Sequence, residues 1–218
     1  MCQYLNTRLL YIIIHPSHTL LIMSSEYRTL AAPSQGLYKE KMSKFISFAI
    51  PVDTPEEAKS AIADIANKYH DARHVCWAYQ LGADGATYMS NDNGEPSGTA
   101  GKPILGQIRS AGITNVAIAV VRYFGGIKLG TSGLIVAYRE AARLAIEAGE
   151  IVTRFETESL TFTFPYVAMN DVMRIAKDPE IKISGQTFDN TCTITLTIRA
   201  DRADWLRQRL TALDGVTE

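Results

Sequence analysis

The chain has 218 residues, of which 46% are hydrophobic and 21% charged, and its 22 Lys and Arg against 23 Asp and Glu leave a formal net charge of −1. This balance fits an ordinary folded protein of one large or two small domains. It excludes a module held to nucleic acid by a general positive field, so any RNA contact must use a local patch. The three cysteines, Cys2, Cys76 and Cys192, are odd in number and far apart, which fits a reducing cytoplasm and neither a disulfide framework nor a zinc site.

Residues 1–22 (MCQYLNTRLLYIIIHPSHTLLI) differ in character from the rest of the chain. Their apolar run at 9–14 is too short to cross a membrane and is broken by His15, Pro16, Ser17 and His18. A signal peptide would need a longer apolar stretch and a small-residue cleavage site. Met23 reads as the start, with 1–22 as a non-native or disordered extension that contributes little to folding.

Residues 44–52 read as a first strand. Thr54, Pro55 and Glu57 then form a helix start, with Thr as N-cap, Pro in the first turn and Glu at the capping-box position. Behind them Ala58, Ala61, Ile62, Ile65, Ala66 and Tyr69 recur on one helical face. Residues 74–81 (HVCWAYQL) and 86–90 pair as strands across the turn at Gly82, Asp84 and Gly85. His74, at a strand start, is read as a hydrogen-bonded supporting residue.

Residues 91–106 (NDNGEPSGTAGKPILG) carry four glycines and two prolines and sustain neither an unbroken helix nor an alternating strand. Residues 115–124 are nearly all apolar, the mark of a central strand covered on both faces. A second glycine-rich stretch, 122–134 (RYFGGIKLGTSGL), leads into a helix with Leu134, Tyr138, Ala141, Ala145 and Ala148 on one face and Gly149 at its end. Two such loops in one domain suggest either one shared site or two structural turns.

From Glu150 the pattern restarts. Leu160, Phe162 and Phe164 alternate as a strand, and Met169, Val172, Met173 and Ala176 repeat as a helix that stops at Asp178 and Pro179. Residues 181–188 and 191–198 form a hairpin across Asp189 and Asn190. Asp201 reads as the cap of a last helix bearing Leu206, Leu210 and Leu213. The order βαββα suggests a small ferredoxin-like α+β unit. The expected division is 23–153 and 154–218, with a boundary between residues 149 and 158.

The two loops carry a resemblance. Residues 92–103 and 120–134 are similar to the signature of the YigZ/IMPACT family, D-D/N-G-E-P-S/A-G-T-A-G-K/R-P followed by V-V-R-Y-F/Y-G-G-I-x-L-G-T-G-G-L, with Ser132 where a second glycine is usual. ARHVCWAY resembles the family's R/T-H-x-C-x-A-Y, with Val75 where His or Asn is common. The likeness extends over both halves from about Tyr27. It implies an N-terminal domain of the ribosomal-protein and GHMP-kinase type, with a four-stranded sheet and helices on one face. Followed by a ferredoxin-like domain, that arrangement is similar to the last two domains of elongation factor G. The resemblance also implies a link to translation, because eukaryotic IMPACT proteins restrain translational stress signalling, through an additional domain that is not expected here.

The residues themselves offer two chemistries. Gly130, Thr131, Ser132 and Gly133 open a helix, so its free amides and positive end can hold an anion, helped by Arg122, Lys128, Gly125, Gly126, Lys102 and Thr99. The other use of these residues is an ordinary helix start with solvated charges. Asp92 and Glu95 can hold a hydrated Mg²⁺ or act as acid and base, or can instead cap turns and helix starts. Pro96 and Pro103 stand where a phosphate-binding P-loop needs Gly and Ser or Thr, and Ser97 and His74 complete no nucleophile, base and orienter set. The leading reading is a nonenzymatic cytoplasmic binding protein linked to translation, needing no cofactor, whose partner is RNA, the ribosome or a translation-associated protein and not a membrane. The alternatives are a metal-assisted enzyme on a phosphorylated or nucleotide substrate, and a protein adaptor docking through the C-terminal sheet.

Overall fold

The computed structural model describes residues 26–189 and 191–218; the extension expected at 1–22 lies outside the described residues. A ribbon of β1 (Glu26–Leu30) and β7 (Ile151–Phe155) brings the start and end of the first unit together. The main sheet contains β2 (Ser34–Glu40), β3 (Ser43–Pro51), β4 (His74–Leu81), β5 (Thr87–Asn91) and β6 (Val116–Tyr123), in the order β2-β3-β6-β4-β5 with every pair antiparallel. The resemblance led to an expectation of four strands with helices on one face. Instead there are five, and both faces are covered.

The reason is β6. From Val116 to Arg122 every residue is buried, so a half-exposed sheet would leave one of its apolar faces in water. Phe45, Ala49, Cys76, Ile118 and Val120 pack under α2 (Gly101–Ser110) and α3 (Gly130–Glu147). Ile46, Val75, Ala117, Ala119 and Val121 pack under α1 (Pro55–Lys68) on the other side. The start of α1 is as expected, with the Glu57 amide donating to Thr54 Oγ1 at 3.1 Å and the Asp53 amide donating to Glu57 Oε2 at 2.8 Å.

Helix α3 lies unusually close to β2 and β3. A Cβ on Gly36 would stand 2.6 Å from the Ala145 amide nitrogen. Ser34 and Ser47 donate their hydroxyls to the α3 carbonyls of Ala145 and Ala141, each at 2.6 Å.

The second unit has its own core of Leu160, Phe162, Phe164, Val172, Ile194, Leu196 and Leu206. Strands β8 (Thr157–Phe164), β9 (Lys182–Phe188) and β10 (Cys192–Arg199) run antiparallel in the order β8-β10-β9, with α4 (Met169–Ala176) and α5 (Ala203–Thr211). After α5 the chain returns to the free side of β8, where Thr163 and Thr217 exchange backbone hydrogen bonds of 2.8 and 2.9 Å. Asp201 does not cap α5 by side chain: it accepts from Arg199 within a 3-10 turn at Ala200–Arg202, because that neighbouring guanidinium offers two donors. Cys76 and Cys192 are buried free thiols.

Candidate functional site

Strand register brings the two glycine-rich loops to one end of the sheet. His74, at the start of β4, stands opposite Arg122 near the end of β6, while Trp77 stands opposite Asn91 at the end of β5. The chain therefore leaves β5 into residues 92–100 beside the place where it leaves β6 into 124–129. His74 Nδ1 donates to the Asn93 carbonyl at 2.8 Å and Asn93 Nδ2 donates to the Val75 carbonyl at 3.0 Å. His74 thus ties the first loop to the sheet.

Asp92 is the organiser of that loop. Its Oδ2 accepts from the Gly98 amide at 2.7 Å, and its Oδ1 accepts from the Ala100 and Gly101 amides at 2.9 and 2.8 Å. Burial alone would raise its pKa. The bonds from Gly98, Gly101 and Ala100, with the charge of Lys102, outweigh burial and hold the carboxyl below its usual range. The start of α2 already contains an anion, supplied by the chain itself. Exposed Lys102 sits beside it. Thr99 is buried and donates to the Pro96 carbonyl at 2.7 Å, so its hydroxyl serves the loop and not a ligand.

Glu95 faces the other way. Its Oε1 lies 2.5 Å from Arg122 Nη1, and the two side chains are 4% and 9% exposed. The same oxygen accepts from the Tyr138 hydroxyl at 2.9 Å. The Cys76 thiol lies 3.3 Å from that hydroxyl and donates to the Asp92 carbonyl at 3.0 Å. Burial pushes the Cys76 thiol up to about 12, and burial, then Cys76 and Glu95, push the Tyr138 phenol far above its range. Both stay protonated as donors. Asp92 and Glu95 are therefore not a free acid pair: one saturates amides and the other neutralises Arg122. Among the described residues no group of three or more His, Cys, Asp or Glu is placed to hold a metal.

Arg122 is also not the exposed anion hook expected of it. It is 8% exposed, its guanidinium lies 5.6 Å from the centroids of both Phe45 and Phe124, and its Nε is buried with no hydrogen-bond partner. It is placed inside because β6 is central and Phe45 stands opposite it in register.

The second loop packs by its glycine. A Cβ on Gly125 would stand 2.0 Å from the Met42 carbonyl carbon, and the Gly125 amide donates to Ser43 Oγ at 3.2 Å, so the loop seats on the turn between β2 and β3. Gly126 and Gly130 have open space around them. Lys128, Gly130, Thr131 and Ser132 are exposed and Gly133 is half-buried. At its start α3 has no side-chain cap and no acidic residue in the first turn. Beside it a cavity of about 290 Å³ opens, lined by the carboxylate of Glu40 as well as by Lys41, Ser132 and Gly133. Sequence reasoning missed Tyr138, Cys76, Lys41, Met42 and Phe124 as members of this end of the sheet. Tyr138 and Cys76 were legible only as apolar positions, and the turn at Lys41 and Met42, both with positive φ, has no Gly or Asn to mark it.

Residues 41–146 match the family profile described as the Impact N-terminal domain. To the IMPACT family member YigZ of Escherichia coli the chain is 38% identical over 135 residues, covering 61% of this chain and 65% of that protein, just under two thirds of its length. To an IMPACT family member of Haemophilus influenzae it is 31% identical over 173 residues, covering 78% of this chain and 84% of the relative. A crystal structure of a hypothetical protein superposes with a TM-score of 0.72 at 28% identity, over 90% of this chain and 97% of that one.

Proposed function

The chain belongs to the IMPACT family, and from that premise we propose that it is a nonenzymatic cytoplasmic binding protein linked to translation, holding a phosphate-bearing partner such as RNA at the start of α3. The contrast between two helix starts carries this reading. Asp92 fills the start of α2, whereas α3 begins without a side-chain cap or an acid, beside exposed Lys128. An uncapped, exposed helix start with a cation beside it favours an anion. Arg122 and Glu95 serve as the frame of the site, with Gly130, Thr131, Ser132, Gly133 and Lys128 as its contacts and Lys102 at its border. Among the described residues no helix is long and apolar enough to cross a membrane.

Thermal unfolding of the full chain with pyrophosphate tests this. A ligand at a hundredfold its Kd adds about 2.7 kcal/mol, roughly 5–10 °C for a chain of this size. Lys128→Gln should remove most of that shift and leave the unliganded melting temperature unchanged. A full shift in that variant would sink the assignment.

The same reading takes the C-terminal unit as ferredoxin-like, which the β8-β10-β9 order supports, and divides the chain at Glu156. That residue joins the units, its carboxylate accepting from the Ala83 amide at 3.0 Å and its carbonyl from the Ala200 amide at 2.9 Å. Calorimetry should therefore resolve two overlapping transitions. A single two-state transition would overturn the division.

A further inference from the structure

Building on the reading of the α3 start as an anion site, we infer that this end of the sheet binds single-stranded nucleic acid, the strand crossing from Lys128 over Phe124 to the turn between β2 and β3. Five exposed cations stand at this end: Lys41, Lys44, Arg73, Lys102 and Lys128. None makes an ion pair among the described residues. The acids there are hydrogen-bonded. Glu40 accepts from Tyr38, Asp71 from Tyr123, Asp92 from three amides and Glu95 from Arg122. Only Glu95 is neutralised, by Arg122, whereas Glu40, Asp71 and Asp92 accept from neutral groups and keep their charge; five cations against those three carboxylates leave a local excess of positive charge although the whole chain is nearly neutral.

Amid those charges stand apolar side chains that a soluble surface normally covers. Met42 is 82% exposed, Phe124 56% and Ile127 51%. The seating of Gly125 on Met42 puts turn and loop in contact, so these side chains belong to one surface. The complementary partner is anionic along a line and apolar on flat faces. A single strand offers both, phosphates for the lysines and unpaired bases for Phe124 to stack on. A duplex keeps its base faces inside, and an acidic peptide brings carboxylates without such faces.

Fluorescence anisotropy with a labelled single-stranded RNA of about 12 nucleotides, and with its duplex, tests this at several salt concentrations. The single strand should bind at least about tenfold more tightly than the duplex. With four phosphate contacts, log K against log salt should fall with a slope of about −3. Phe124→Ala should weaken binding about tenfold at an unchanged slope, whereas Lys41→Gln should make the slope shallower by about 0.7. The melting temperature of each variant checks its fold. Equal affinity for the duplex, no effect of Phe124→Ala, or tighter binding to polyglutamate would each overturn the inference, the last in favour of an acidic protein partner. If pyrophosphate still protects the chain through Lys128 while RNA does not bind, this inference alone fails; if neither binds, the anion site fails with it.

Discussion

Glu95→Gln is expected to lower the melting temperature of the full chain by roughly 10 °C, the effect of losing about 3–5 kcal/mol. The glutamine keeps the shape but removes the charge opposite Arg122, whose guanidinium has nowhere to go. It is walled by Phe45 and Phe124, and its Nε already lacks an acceptor. Solvating it would require the first loop to leave the sheet. The cost comes from the stranded cation and not from any large net strength of the pair. Adding Arg122→Met to Glu95→Gln should therefore recover most of the loss, since a flexible apolar chain fits between the two rings. A double variant no more stable than Glu95→Gln alone would show that the ion pair itself was the stabilising element. Chemical denaturation of the four proteins in one cycle gives the coupling energy directly.

Asp92→Asn is expected to cost about 2–3 kcal/mol at neutral pH, because a charged acceptor of three amides is replaced by a neutral group with one oxygen. Its pH dependence is the more discriminating result. The folded-state pKa of Asp92 is lowered, so its contribution is fully present above the unfolded carboxyl value of about 4 and is lost as pH falls from there through the folded value. The native chain and the variant should thus differ most near pH 7, and the difference should shrink below about pH 4. A gap that stays constant on acidification would mean that the carboxylate charge does not hold the loop.

Much of this architecture was legible from periodicity. The continuous apolar run of β6 predicts cover on both faces, and that reading holds where the four-stranded sheet implied by the resemblance does not. The capping set Thr54, Pro55 and Glu57 marks the start of α1 correctly. Missing were β1 and β2, whose residues alternate weakly, and β7, which comes so soon after α3 that it read as linker. At the candidate site the sequence reveals the glycine loops and, through β6, their common end of the sheet. It does not reveal which charges are spent. Arg122, Lys128, Asp92 and Glu95 look equally available in the sequence, and only the folded chain places Arg122 in the buried central strand beside Glu95 and leaves Lys128 exposed on the loop. Long-range hydrogen bonds, such as that from Tyr138 to Glu95, leave no periodic trace.

The closeness of α3 to β2 and β3 bears on how a ligand would be received. Ser34 and Ser47 bolt the carbonyls of Ala145 and Ala141 to the sheet, and Gly36 lets the backbones touch. A helix fastened in this way can neither slide along its axis nor turn about it, so its far end, Gly130 to Gly133, is held in register with the loops before anything arrives. As the proposed anion site, the amides there would form a rigid receptor. Ordering the partner, and not the protein, would then dominate the entropic cost of association, and bound and free forms of this end should superpose closely.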